Sequence, residues 1–187
     1  MIAEQLKKDT LEEHQNLEGM IVRRLKQLEN KADLAKVLKS FYGFYNPLET
    51  AIEKFIFKSS LPDMETRRKS SWLLQDLQNL EVNNEELPLC DDITTISNKS
   101  QALGAMYVLE GSTLGGEHIN KMLQKQLNLN DEAVLTFFSS YKENTYKKWA
   151  IFLKFLENQT NSKEEQQLAI QSANETFTKF HKWLTKD

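Results

Sequence analysis

The sequence predicts an all-α protein folded as a single helical bundle of about seven helices. Three observations carry that expectation. Apolar residues recur at helical spacing through most of the chain, only six glycines and three prolines interrupt its 187 residues, and the alternation of Val, Ile and Thr that marks strands is hard to find. A composition 40% hydrophobic and 27% charged suits one core at this length, so residues 1–187 read as one domain. Neither an internal repeat nor a Gly/Ser linker marks a boundary within it.

The first helix is expected over about 2–28. Asp33 is the expected N-cap of the second, which runs through LAKVLKSFYGFYNPLETAIEKFIF, with Pro47 kinking it or splitting it in two. Pro62 marks a loop, and a third helix over 64–80 places Trp72, Leu73, Leu77 and Leu80 on its inner side. The polar stretch 83–95, containing Pro88, reads as irregular. A long fourth helix covers 100–126, a turn falls at 128–130, and a short helix holds Val134, Phe137 and Phe138. A sixth covers 145–156. The last opens at Ser162 with Glu165 three residues on, a capping box, and continues through Ala173, Phe177, Phe180 and Leu184.

Composition narrows the functional classes. A net charge of -3 argues against a general nucleic-acid binder. The lone Cys90 excludes an intrachain disulfide, a Cys-rich zinc site and covalent c-type haem attachment, and points to a reducing compartment. The N-terminus MIAEQLKKDTLEEH lacks the apolar core of a secretory signal, and no run approaches about 18 apolar residues. A cytoplasmic protein with neither a nucleic-acid nor a membrane partner is expected.

Two places ask for more than packing. Projection of the first helix puts Leu6, Thr10, His14, Leu17, Ile21, Leu25 and Leu28 on one face, so His14 is expected to point inward. Glu18, one turn later, can accept the Nδ1 proton of the imidazole and leave Nε2 free for a metal. Lys7, two turns earlier and about 10 Å along the helix, is placed to meet an anionic ligand edge. The second place is ALGAMYVLEGSTLGGEHINKML, which holds four of the six glycines. Gly104, Gly111 and Gly115 project within about 40° of one another, and each costs a helix interior on the order of 1 kcal/mol. Close helix packing and a flat ligand against bare backbone both explain such a stripe. An imidazole on one helix and a glycine face on another are the two halves of a haem sandwich.

Other chemistries fit poorly. GSTLGG lacks the Gly-Lys-Ser/Thr ending of a phosphate loop, and no histidine has a glutamate three residues before it, as di-iron bundles require. Cys90, in an expected loop, is a weak nucleophile candidate. His118 and His181 are expected at the surface.

The chain resembles the haem oxygenase family, in particular its bacterial, biliverdin-producing, phytochrome-associated branch. LKKDTLEEHQNLE is similar to the family's proximal helix and GAMYVLEGSTLGG to its distal helix; FYGFYNPLE, RRKSSWLLQDLQNL, FFSSYKENTYKKWAIFLKFL and the closing F-x-x-F-x-x-WL follow in family order. The resemblance implies His14 as iron ligand with Glu18 beside it, Lys7 and Thr10 flanking the propionates, and Gly111 and Gly115 over the haem. Ser112 stands where mammalian-type members carry an aspartate that organises the proton-delivering water. Ala150 stands where many members carry a propionate-binding arginine, so either Tyr146, Lys147 or Lys148 is expected to substitute or propionate anchoring to lean more on Lys7. The implied activity opens haem, both substrate and cofactor, to biliverdin, carbon monoxide and ferrous iron with dioxygen as co-substrate. No flavin or nicotinamide fingerprint is present, so electrons come from a partner such as a ferredoxin, flavodoxin or reductase. The same resemblance implies iron acquisition or a phytochrome or other biliverdin acceptor as the destination. A haem storage or transfer protein needs His14 equally and remains the main alternative; a haem-free relative is disfavoured by the intact His14, Glu18 and glycines.

Overall fold

The computed structural model describes residues 1–57, 60–81, 87–129 and 135–186. Nine α-helices and no strand occur among them: α1 (Ile2–Asp9), α2 (Leu11–Lys26), α3 (Lys31–Glu53), α4 (Ser71–Asn79), α5 (Lys99–Gly111), α6 (Gly116–Leu127), α7 (Thr136–Ser139), α8 (Thr145–Gln159) and α9 (Lys163–Leu184). Single turns of 3-10 helix lie at Met64–Thr66, Ser112–Gly115 and Lys142–Asn144. Joined across Thr10 and across Ser112–Gly115, the nine become the seven that periodicity predicts.

The core is built on α3, whose Leu34, Val37, Leu38, Phe41, Phe44, Tyr45, Leu48 and Ile52 are all buried. Phe180 of α9 stacks on Phe44 at 4.5 Å between ring centroids and meets Phe41 edge-on at 5.1 Å, while Phe137 of α7 meets Tyr45 at 5.1 Å. Each buried Phe contributes about 1.5–3 kcal/mol of transfer free energy before ordering costs, so these rings lock α3, α7 and α9 together. α9 also packs along α5, α2 and α1. The α5–α9 approach depends on Gly104, where an added Cβ would overlap the Ala169 carbonyl. The capping box of α9 forms as expected: Glu165 N–H donates to Ser162 Oγ at 3.1 Å, and Ser162 N–H donates to Glu165 Oε2 at 2.9 Å.

Five expectations are corrected. The 2–28 helix is interrupted at Thr10, whose φ of -108° and ψ of 3° lie outside helical values. Its hydroxyl donates to the Leu6 carbonyl at 2.7 Å, and backbone bonds from Thr10 to Leu6 and from His14 to Thr10 carry the ladder across the junction. The N-cap of α3 is Asn30, not Asp33: Asn30 Oδ1 accepts the Asp33 N–H at 3.0 Å, and α3 ends at Glu53. Pro47 does not split α3. The carbonyl that a proline at 47 leaves without its i+4 donor is that of Gly43, and Cys90 N–H supplies the missing bond at 2.8 Å. The 64–80 segment starts with a 3-10 turn, and only Ser71–Asn79 is α-helical. The 100–126 helix changes pitch at Ser112–Gly115, where the Ser112 and Thr113 hydroxyls bond the Leu109 and Glu110 carbonyls at 2.7 and 2.6 Å. The expected features at 83–86, Asn130 and Val134 lie outside the described residues.

Candidate functional site

The N-terminal pair α1–α2 carries the first half of the candidate site. Leu6, Thr10, Leu17, Leu25 and Leu28 of the projected face are buried and Ile21 is half-buried, but His14 is exposed, which corrects the inward expectation. Its ring meets the edge of Phe177 from α9, at 5.6 Å and 70°. Lys7 and Glu18 are exposed as well, and among the described residues no hydrogen bond joins Glu18 to the imidazole. Thr10 is buried with its hydroxyl spent on Leu6, so it shapes the helix junction.

The glycines of the second half divide by what surrounds them. Gly104 and Gly116 are sterically required: a Cβ would overlap the Ala169 carbonyl at the first and the Phe138 carbonyl at the second. Gly111 and Gly115 are not. A Cβ at 111 would meet only the Trp149 ring, at 3.7 Å, and one at 115 would meet nothing within 4 Å. The stripe therefore has two origins, close helix packing at one end and bare accessible backbone at the other. α8 packs against both α1 and the Ser112–Gly115 turn, and α9 against both α2 and α5, so the same two helices flank both halves.

Next to the bare backbone lies a polar network. Ser112 Oγ accepts from Arg68 Nη2 at 2.5 Å and lies 3.1 Å from the Tyr45 hydroxyl, while its own proton goes to the Leu109 carbonyl. Arg67 is fully buried and ion-paired with Glu110 and with Asp63. Tyr141 donates to both Glu110 oxygens at 3.1 and 3.2 Å and accepts the Arg68 N–H at 2.8 Å. Burial, reinforced by the Glu110 charge, holds the Tyr141 hydroxyl well above its ordinary range, so it remains a donor. Lys148 is tied to Asp63 at 3.2 Å and Thr66 at 2.7 Å, which removes it from the candidate anion partners. Tyr146 and Lys147 stand exposed in the first turn of α8, and Ala150 is exposed one turn later.

Sequence reasoning missed Arg67, Arg68, Glu110, Tyr45 and Tyr141. Glu110 left the clearest signal, a carboxylate amid the apolar residues of α5 and next to a glycine. His118 is exposed and His181 half-buried.

The donor set fits haem. Among the described residues no three His, Cys, Asp or Glu side chains gather to hold a metal ion. A single exposed imidazole on α2 and an uncovered glycine backbone after α5 suit an iron already held by a porphyrin, with the exposed cations Lys7 and Lys147 available to its carboxylates.

The all-helical fold is that of a class of haem-handling proteins. The chain belongs to the heme oxygenase family, whose model, described as "Heme oxygenase", matches residues 1–186. It is 24% identical over 173 residues to heme oxygenase PigA of Pseudomonas aeruginosa, covering 91% of this chain and 85% of that one. Its fold superposes on the NO- and CO-bound heme oxygenase of Neisseria meningitidis with a TM-score of 0.83 at 25% identity, covering 100% and 91% of the two chains. The heme oxygenase of Leptospira interrogans shares the fold with a TM-score of 0.75 at 19% identity, covering 100% and 99%. Membership makes this an enzyme of haem degradation that takes haem as substrate and draws electrons from a reductase. No described helix is long and apolar enough to cross a membrane.

Proposed function

We propose that the chain oxidatively opens haem to biliverdin, carbon monoxide and ferrous iron, using dioxygen and electrons delivered by a separate donor. The observation that carries this reading is the bare backbone at Gly111 and Gly115, which neither neighbouring helices nor a turn requires.

Bound haem supplies the ring that is opened and the iron that activates dioxygen. The residues do the rest. His14 Nε2 would hold the iron, and Glu18, exposed one turn on, would be free to accept the Nδ1 proton of the imidazole. Lys7, with Tyr146 and Lys147 across the α1–α8 contact, holds the propionates in the role left open by Ala150. Thr10 fixes the junction that aims His14 relative to Lys7. Gly111 and Gly115 would leave room for the macrocycle against the backbone, and Ser112 fixes Tyr45 and Arg68 beside it.

The test is turnover of stoichiometric haem with a reductant, air and catalase, the last because free peroxide degrades haem unaided. The expected result is loss of the Soret band with growth of a biliverdin band and release of carbon monoxide. A chain that binds haem well and yields no open tetrapyrrole with several donors is instead a storage or transfer protein.

A further inference from the structure

Arg67, Arg68 and Lys69 are consecutive cations whose surroundings differ. Arg67 is paired with Asp63 and Glu110, and Lys69 with Glu49 and Glu53. Lys148 takes the other oxygen of Asp63. These pairings leave no carboxylate for Arg68, and among the described residues it forms no ion pair. Its bonds go to neutral acceptors: Nη2 to the Leu109 carbonyl at 2.7 Å and to Ser112 Oγ at 2.5 Å, and Nη1 to Ser140 Oγ at 3.4 Å. Its guanidinium carbon lies 4.1 Å from the centre of the Phe137 ring and 5.6 Å from that of Tyr45. A half-buried guanidinium with a fixed geometry and an uncompensated charge therefore stands against the turn that follows Gly111.

Ser112 itself has little to give. One hydroxyl proton and two lone pairs are its full capacity, and Leu109, Arg68 and Tyr45 account for all three. Arg68 keeps Nε–H and one Nη1–H without an acceptor among the described residues.

We propose that Arg68 is a positioning residue of the reaction: its unpaired guanidinium, anchored through Ser112 and Leu109, makes the face beside Gly111 selective for anionic ligands of the haem iron. This rests on the haem-site reading above. An arginine cannot surrender its proton at working pH, so its part is to favour negative charge as it develops and to orient water.

The experiment compares ferric haem-loaded wild type with Arg68→Met, Arg68→Gln and Arg68→Lys, titrating each with azide and fluoride and separately with neutral imidazole while following the Soret band. Azide and fluoride affinities are expected to fall about tenfold in the Met and Gln variants while imidazole affinity stays within about twofold, and Lys to retain most of the anion preference. Where Arg68→Met melts early, the Gln and Lys pair carries the comparison, since both lose the planar fork and only one loses the charge. Anion and imidazole affinities that fall together, or that do not move, overturn the inference. A wild-type chain that takes up no haem overturns the site reading and the inference with it.

Discussion

The guanidinium of Arg67 and the carboxylate of Glu110 form an ion pair enclosed by protein, with the two residues 2% and 5% exposed. It ties the segment before α4 to the last turn of α5, one residue before Gly111. Removing one partner strands a buried charge, so Arg67→Met is expected to cost about 3–5 kcal/mol in urea unfolding. Arg67→Met combined with Glu110→Leu should recover much of that loss, because no charge is then left unpaired. A double variant no more stable than the single one would show that shape, not charge, sets the cost.

Gly104 and Gly111 should respond oppositely to a side chain. Gly104→Ala drives a methyl into the Ala169 carbonyl and is expected to lower stability by about 1–3 kcal/mol despite the better helix propensity of Ala. A Cβ at 111 meets only the Trp149 ring, at 3.7 Å, so Gly111→Leu should keep the wild-type helicity and Tm while haem binding fails. Circular dichroism with haem titration separates the two, and normal haem uptake by Gly111→Leu would assign that glycine to packing.

His14→Ala is expected to abolish the ferric spectrum of the haem complex, and added imidazole to restore it. His118→Ala and His181→Ala should bind haem as wild type. The ligand assignment fails if the loss appears in either of those and not at position 14.

Burial raises the Asp76 carboxyl from 3.8 to about 6, against the pull of N–H bonds from Thr136 at 2.8 Å and Phe137 at 2.9 Å. The folded chain thus holds this proton more tightly than the unfolded chain does. Its contribution is fully present below about pH 4, falls as pH rises through 6 and is flat above, a loss of roughly 3 kcal/mol. Asp76→Asn does not titrate, so the stability of wild type relative to the variant should decline between pH 4.5 and about 7 in urea melts. A flat difference across that range would mean the two N–H bonds offset the burial.

Lys7 is exposed at the end of α1 and makes no ion pair among the described residues. Lys7→Ala should leave Tm unchanged and weaken haem affinity severalfold, up to about tenfold, the usual strength of a charge-assisted bond being reduced by solvent. The product isomer is the second readout, because a ring held by fewer cations can rotate in its plane. Unchanged affinity and an unchanged isomer would leave Lys7 a solvated surface residue.

What the sequence discloses is what depends on neighbours along the chain. The Ser162–Glu165 cap and the helical stripes are local, and they are where periodicity places them. Asn30 and Asp33 are both competent caps three residues apart, and only the bond actually formed distinguishes them. Pro47 looks like a breaker until Cys90, from a distant loop, supplies the Gly43 carbonyl with a donor. The run Arg67–Arg68–Lys69 reads as three equivalent cations, yet its partners come from α3, α5 and the segment around Asp63, and these divide it into a buried strut, an unpaired fork and a half-buried pair. The glycine stripe is legible as a stripe, but Ala169 and Trp149 decide which glycine serves packing and which stays bare.

The edge-on contact of Phe177 with His14 joins positions near opposite ends of this sequence. During synthesis the helix carrying the imidazole emerges early and then has no aromatic neighbour until residue 177 has been made. α8 reaches α1 first, and α9, made last, then closes against α1, α2 and α5 together. The last helix made is thus the one that joins the two ends of the bundle, so its non-local contacts with α1, α2 and α5 form only once nearly the whole chain is available.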